Sequence, residues 1–229
     1  MTDMEYFQTP RVVALKYGQT DLPLRMIYCG NSSEERVPIS LTVYLICLGK
    51  RNILVDAGCD TMPNFELRHF CGPVDVLRQY GLAPDDITDV IITHAHHDHI
   101  DGVRHFPHAT VWIQADEYKK GKRYIPDTCA IRTYKNSAVV TRELRIQCIG
   151  GHSLGSSVVL LKQENEVLVF CGDECYLPDC LALNIPTGTS RNPQKSRAFI
   201  QTYRHPPYRA LLAHDPRILP EANGYVEIS

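Results

Sequence analysis

No stretch of this 229-residue chain approaches the roughly 18 consecutive apolar residues that suggest a membrane span. The start, Met1 to Tyr6, is acidic and lacks the basic segment followed by an apolar one that marks a secretory leader. A soluble, cytoplasmic protein with no membrane partner is therefore expected. Excess charge is missing too: 24 Lys and Arg against 26 Asp and Glu leave a formal net charge of -2, which gives no global reason to expect a nucleic acid partner. A disulfide framework is not indicated either, because the nine cysteines are odd in number and Cys47, Cys148 and Cys171 sit inside apolar runs. Reduced, mostly buried thiols fit that pattern. Short-period repeats and low-complexity segments are absent. With 44% hydrophobic residues, the chain can bury a sizeable core as one domain over residues 1–229.

What the chain does have is a concentration of metal-binding side chains. The run Thr93-His94-Ala95-His96-His97-Asp98-His99 follows the apolar Val90-Ile91-Ile92, so the cluster is expected at the end of a strand. Neutral imidazole and carboxylate suit zinc and neighbouring divalent metals, and alternate residues of an extended segment point the same way. His94 and His96 can thus grip one ion, while Asp98 and His99 suit a second. Three more polar residues end apolar stretches: His152 after Leu144 to Ile149, Asp173 after Val167 to Gly172, and His214 after Ala210 to Ala213. In an α/β sandwich, strand ends along one edge converge to make a site.

These residues resemble the metallo-β-lactamase superfamily, whose signature His-x-His-x-Asp-His is met by His94, His96, Asp98 and His99. The resemblance implies an αββα sandwich, two mixed β-sheets with helices on the outer faces. It implies that His94, His96 and His152 hold a first metal, that Asp98, His99 and His214 hold a second, and that Asp173 bridges them. Asn52 to Gly58 looks like the superfamily's early strand ending in Asp-x-Gly, whose aspartate, here Asp56, supports the metal ligands from behind. The cofactors implied are two divalent ions, zinc first, with manganese, iron or cobalt as alternatives. The reaction implied is hydrolysis by a hydroxide that bridges the metals, with Asp98 orienting it or passing a proton to the leaving group.

Tyr176, three residues after Asp173, carries the substrate reading. Its phenol is close enough in sequence to donate a hydrogen bond to a carbonyl oxygen at the metals, and packing under the sheet edge is the alternative. The spacing is similar to that of the N-acyl-homoserine lactone lactonases, quorum-quenching enzymes, which implies a small lactone or ester substrate. The loop His152-Ser153-Leu154-Gly155-Ser156 departs from the Thr-Pro-Gly common in that branch. Thioester hydrolysis, phosphodiester hydrolysis and mononuclear iron sulfur dioxygenation remain alternatives on the same fold. The glyoxalase II type adds a C-terminal helical domain, whereas fifteen residues follow His214 here. A homodimer is an open expectation.

The remaining pattern predicts strands at Arg11 to Lys16, Leu24 to Cys29, Leu41 to Leu48, Ile53 to Asp56, Thr88 to Thr93, Thr110 to Gln114, Leu144 to Ile149, Ser157 to Leu161, Val167 to Phe170 and Ala210 to Ala213. Helices are predicted at Pro73 to Tyr80, Asp98 to Phe106, Ala115 to Gly121 and from Asn192-Pro193 to about Tyr203. Phe65, Leu67 and Phe70 either line an apolar cleft or fill core. The basic residues between Lys119 and Arg142 read as a solvated face, His97 as a residue beside the site, and Cys175 as packing.

Overall fold

The computed structural model describes residues 10–220 and 223–229; the acidic start Met1 to Tyr6 lies outside them. Two mixed sheets pack face to face. The first opens as an antiparallel meander of β1 (Arg11–Pro23), β2 (Arg36–Leu48) and β3 (Arg51–Val55). It continues in parallel through β4 (Asp89–Ile92), β5 (Thr110–Gln114) and β6 (Ala130–Tyr134). The second sheet holds β7 (Ser137–Val139), β8 (Leu144–Cys148), β9 (Ser157–Lys162), β10 (Val167–Phe170) and β11 (Tyr208–Leu211), antiparallel except for the β10–β11 pair. A last strand, β12 (Gly224–Glu227), closes the open side of the first sheet against β1.

The period of two along the strands explains the layering. On β1 and β2, Val12, Ala14, Tyr44 and Ile46 face the core shared with Ile146, Val159, Leu168 and Phe170 of the second sheet. Their neighbours Val13, Leu15, Val43 and Leu45 face the opposite way, into a core that also contains Val76 and Leu77. Those two belong to α2 (Pro73–Tyr80), which covers the first sheet's outer face. The second sheet's outer face, with Val158 and Val169, packs against Cys180 of α5 (Pro178–Leu183) and Phe199 and Ile200 of α6 (Pro193–Tyr203). Strands buried on both faces carry unbroken apolar runs rather than alternation. The expected αββα sandwich is thus the observed one.

Leu24 to Cys29 is not the predicted strand. Its apolar residues form a single helical turn, α1 (Leu24–Ile27), because the β1–β2 pairing ends at Pro23 and Arg36 and the Leu24 amide donates to the Glu35 carbonyl at 2.8 Å. The segment predicted as a helix from Asp98 to Phe106 is α3 (His97–Ile100) followed by a 3-10 stretch from Asp101 to His105. The piece Ala115–Gly121 is helical as predicted, α4.

Candidate metal centre

Five strands end on one edge. β3 delivers Asp56, β4 the His94 to His99 run, β8 His152, β10 Asp173 and β11 His214. All seven candidate ligands meet there. His94, His96, His152 and Asp173 place one ligand atom each within 4.8 Å of one another, as do Asp98, His99 and His214. Asp173 faces both groups: Oδ2 lies 3.4 Å from His94 Nε2 and 3.3 Å from His152 Nε2, whereas Oδ1 lies 3.0 Å from both His99 Nε2 and His214 Nε2. Asp98 Oδ2 stands 3.5 Å from His99 Nε2 and 3.8 Å from His214 Nε2. Gly172 permits this placement of Asp173, with φ of 50° and an absent Cβ that would meet Thr93 Oγ1 at 2.8 Å.

The imidazoles are held from behind by their other nitrogens. His99 Nδ1 donates to Asp56 Oδ2 at 2.8 Å, His214 Nδ1 to the Ser40 carbonyl at 2.9 Å, and His94 Nδ1 to Thr93 Oγ1 at 3.1 Å. His152 Nδ1 meets Thr189 Oγ1 at 3.3 Å. Asp56 adopts φ of 61°, a left-handed conformation costly for a non-glycine residue, and its carboxylate also accepts from the Thr93 amide and hydroxyl. Fixing one ring nitrogen as the donor leaves the other with its lone pair toward the centre.

Whether a metal suits this pocket is answered by an unpaired atom. His94 Nε2 is buried without a hydrogen-bond partner, an arrangement that costs free energy unless something electrophilic takes its lone pair. Ligands about 2.0–2.1 Å from a tetrahedral ion stand roughly 3.3 Å apart, close to the separations here. The donor set therefore fits divalent ions held by nitrogen and oxygen.

Tyr176 reaches the same place. Its buried hydroxyl donates to Asp173 Oδ2 at 3.1 Å and meets Thr189 Oγ1 at 2.9 Å, and its ring lies edge-on to His214. Burial first, then the charge of Asp173, pushes the phenol well above its ordinary pKa, so it stays a proton donor. His97 is half-buried at the edge, 3.5 Å from Thr61 Oγ1 and 3.6 Å from Asp101. Cys175 packs among Phe199 and Ile200, its thiol donating to the Leu177 carbonyl. Phe65, Leu67 and Phe70 pack against the cores, and Lys119 and Lys120 pair with Asp116 and Glu117. Sequence reasoning passed over Ser40, Thr189, Glu117 and Glu174. Hydroxyls and carboxylates outside the motif carry no periodic signal, and Ser40 serves through its backbone carbonyl, which any residue would supply, although Glu174 adjoins Asp173.

The chain belongs to the metallo-beta-lactamase superfamily, whose family model matches residues 37–214. It is 28% identical over 185 residues to the N-acyl homoserine lactonase AiiB of Agrobacterium fabrum, covering 63% of this chain and 66% of that protein. It is 30% identical over 95 residues to the hydroxyacylglutathione hydrolase of Citrobacter koseri, covering 40% of this chain and 34% of that protein. Among solved structures, an N-acyl homoserine lactone hydrolase with N-hexanoyl-L-homoserine at its metal centre superposes with a TM-score of 0.80 at 16% identity, over 96% of this chain and all of that one. A probable metal-dependent hydrolase from Staphylococcus aureus gives 0.79 at 19% identity, over 91% and 90%. At such identities the structural likeness speaks for the fold.

Proposed function

We propose that residues 1–229 form one domain acting as a dinuclear metal-dependent hydrolase that opens a lactone or related ester. The observation that carries this reading is Asp173, whose two carboxylate oxygens each face a different group of imidazoles. His94, His96 and His152 would hold one ion, Asp98, His99 and His214 the other, and Asp173 would join them. Two divalent ions, zinc by expectation, polarise a carbonyl oxygen and can lower the pKa of water from about 15.7 to about 7.

The chain's own residues do the rest. Asp98, half-buried and beside His99 and His214, is placed to accept a proton and return it to the leaving alkoxide. Tyr176, kept protonated, can turn its hydroxyl from Asp173 toward a substrate carbonyl and stabilise the developing oxyanion. The rigid attachment of His99 to Asp56 and of His214 to Ser40 keeps both rings oriented without reorganisation. The lactonase relatives support the ester class.

Zinc-loaded protein assayed against acyl-homoserine lactones, simple lactones, a thioester and bis-p-nitrophenyl phosphate tests the reading, alongside metal analysis. Two ions per chain and preference for a lactone are expected. Preference for the phosphodiester overturns the ester assignment and spares the metals. A thioester preference favours the second reading, which the match to hydroxyacylglutathione hydrolase supports; one iron per chain points to the dioxygenase. His96→Ala is expected to abolish turnover, and Tyr176→Phe to slow it by about ten- to a thousand-fold. An unslowed Tyr176→Phe variant returns that ring to packing.

A further inference from the structure

Two fully buried glutamates flank the loop that carries His152, and neither belongs to the ligand set. Glu174, 0% exposed, accepts from four donors: the amides of Gly151 and His152, both at 3.0 Å, and the hydroxyls of Ser156 at 2.5 Å and Ser196 at 2.7 Å. Glu117, 1% exposed on α4, grips the other side of the same loop through the Ser153 hydroxyl at 2.9 Å and the Gly155 amide at 2.8 Å. Its second oxygen accepts from the Ala95 amide at 3.0 Å, between His94 and His96. Lys120 completes its shell at 3.1 Å.

The glycines of this loop report the same tight fit. A Cβ on Gly151 would lie 2.3 Å from Glu174 Oε2 and 2.2 Å from Ser196 Oγ, and one on Gly155 would lie 2.9 Å from Glu117 Cγ and 2.2 Å from Gln114 Oε1. The loop backbone therefore lies close against the side chains of Glu174, Ser196, Gln114 and Glu117, and a larger residue at either glycine would have to displace them. Burying two carboxylates is costly unless donors surround them, so the arrangement holds only with the loop in this one conformation. The connectivity follows. Glu117 ties the His152 loop to the His94–His96 segment, and Glu174 ties it to Asp173, its own neighbour in the chain. The Asp98, His99 and His214 group is anchored differently, by Asp56, Ser40 and the Tyr17 hydroxyl on the Asp98 carbonyl at 3.1 Å.

We propose that Glu117 and Glu174 are positioning residues chiefly for one metal site: they clamp the three segments bearing His94, His96, His152 and Asp173, and so act on the affinity of that site more strongly than on its neighbour, which they reach only through the shared Asp173. The assignment rests on the metal-binding reading above. Residues that orient ligands this way typically shift metal affinity by about ten- to a hundred-fold.

Zinc titration of metal-free protein against a chromophoric chelator, in a double-mutant scheme, tests it. In a His214→Ala background, Glu174→Ala is expected to weaken the remaining ion by about ten- to a hundred-fold. In a His152→Ala background, where Glu174 reaches the remaining ion only through Asp173, the weakening should be several-fold smaller. Glu174→Gln, whose amide oxygen can still accept from both loop amides, is expected to recover most of the affinity. Far-UV circular dichroism of each metal-free variant establishes that it is folded. Should Glu174→Ala fail there, Glu117→Gln carries the comparison, since it turns one of two accepting oxygens into a donor and should weaken the ion that depends on His152 most. Equal weakening in both backgrounds, or none in folded variants, overturns the proposal. A wild-type chain that binds a single ion overturns the dinuclear reading instead; the glutamate assignment then stands if that ion is lost with His152→Ala and weakened by Glu174→Ala, and falls otherwise.

Discussion

His96 and His152 stand in a different electrostatic situation from His99 and His214, although all four share one centre. Desolvation of the ring by its neighbours, reinforced by His94, lowers His96 although the residue itself is exposed. Burial also carries His152 well below the ordinary value, and the opposing charge of Asp173 does not reverse it. For His99 burial acts in the same direction, but Asp173, Asp98 and Asp56 outweigh it and raise the ring well above 6.5; Asp173 and Asp98 do the same for His214. In the metal-free protein near neutral pH, His96 and His152 are therefore neutral and His99 and His214 tend to be protonated. An ion entering beside the latter pair must displace protons. Raising the pH from 6 to 8 is expected to strengthen uptake at that site more than at the site of His96 and His152, since those two rings are already neutral throughout the range. Calorimetric titrations in buffers of different ionisation enthalpy read the protons released, and equal pH slopes at the two sites would refute the contrast. In the metal-free protein the same raised pKa values stabilise the fold fully below the unfolded value near 6.5, and that contribution fades as pH rises through the folded values.

The turn bearing Asp56 and the helical stretch after the histidine run are fitted to each other at Gly102. Its amide donates to the Gly58 carbonyl at 2.8 Å, and a Cβ there would lie 2.1 Å from the Ala57 carbonyl oxygen, a backbone atom. Gly102→Ala is expected to cost about 1–3 kcal/mol by overpacking, a fall in melting temperature on the order of 2–12 °C for a chain of this size. Thermal melts of the metal-free proteins measure it; a variant melting with the wild type would mean the turn can retreat without penalty. Legibility in the sequence follows burial. β3, β4 and β10 announce themselves because both faces are buried, and their ends announce the site because a lone polar residue follows each apolar run. β6 and β12 are mostly exposed edge strands, so no periodic apolar signal marks Ala130–Tyr134 or Gly224–Glu227. Leu24 to Cys29 misleads in the opposite way: its apolar residues serve a helical turn that buries Ile27 against the second sheet's outer core. Glu117 and Glu174 were illegible because a carboxylate's value here lies in which distant amides it meets, and only the closed fold decides that.

At the scale of the molecule, the centre spans the seam between the sheets. His94, His96, Asp98 and His99 follow β4 of the first sheet, whereas His152, Asp173 and His214 follow β8, β10 and β11 of the second. Each ion would then be a cross-link between sheets that otherwise meet through their shared apolar core and a few polar ties, such as Ser157 N to the Thr93 carbonyl at 2.9 Å and Tyr44 Oη to the Leu212 carbonyl at 2.9 Å. None of the candidate ligands belongs to the shared apolar core, so chelation is expected to leave the chain folded and less stable. Mass action gives about 2.7 kcal/mol for each site at a free-metal concentration of a hundred times its dissociation constant. With two sites filled, the melting temperature should rise on the order of 10–20 °C from excess chelator to excess zinc. His214→Ala should remove part of this rise and keep the remainder, because the His94–His96–His152 site still joins both sheets. Scanning calorimetry of wild type and variant under both conditions distinguishes the cases: a rise that vanishes entirely in His214→Ala would make the two ions one cooperative unit, and no rise in the wild type would mean that nothing binds across the seam.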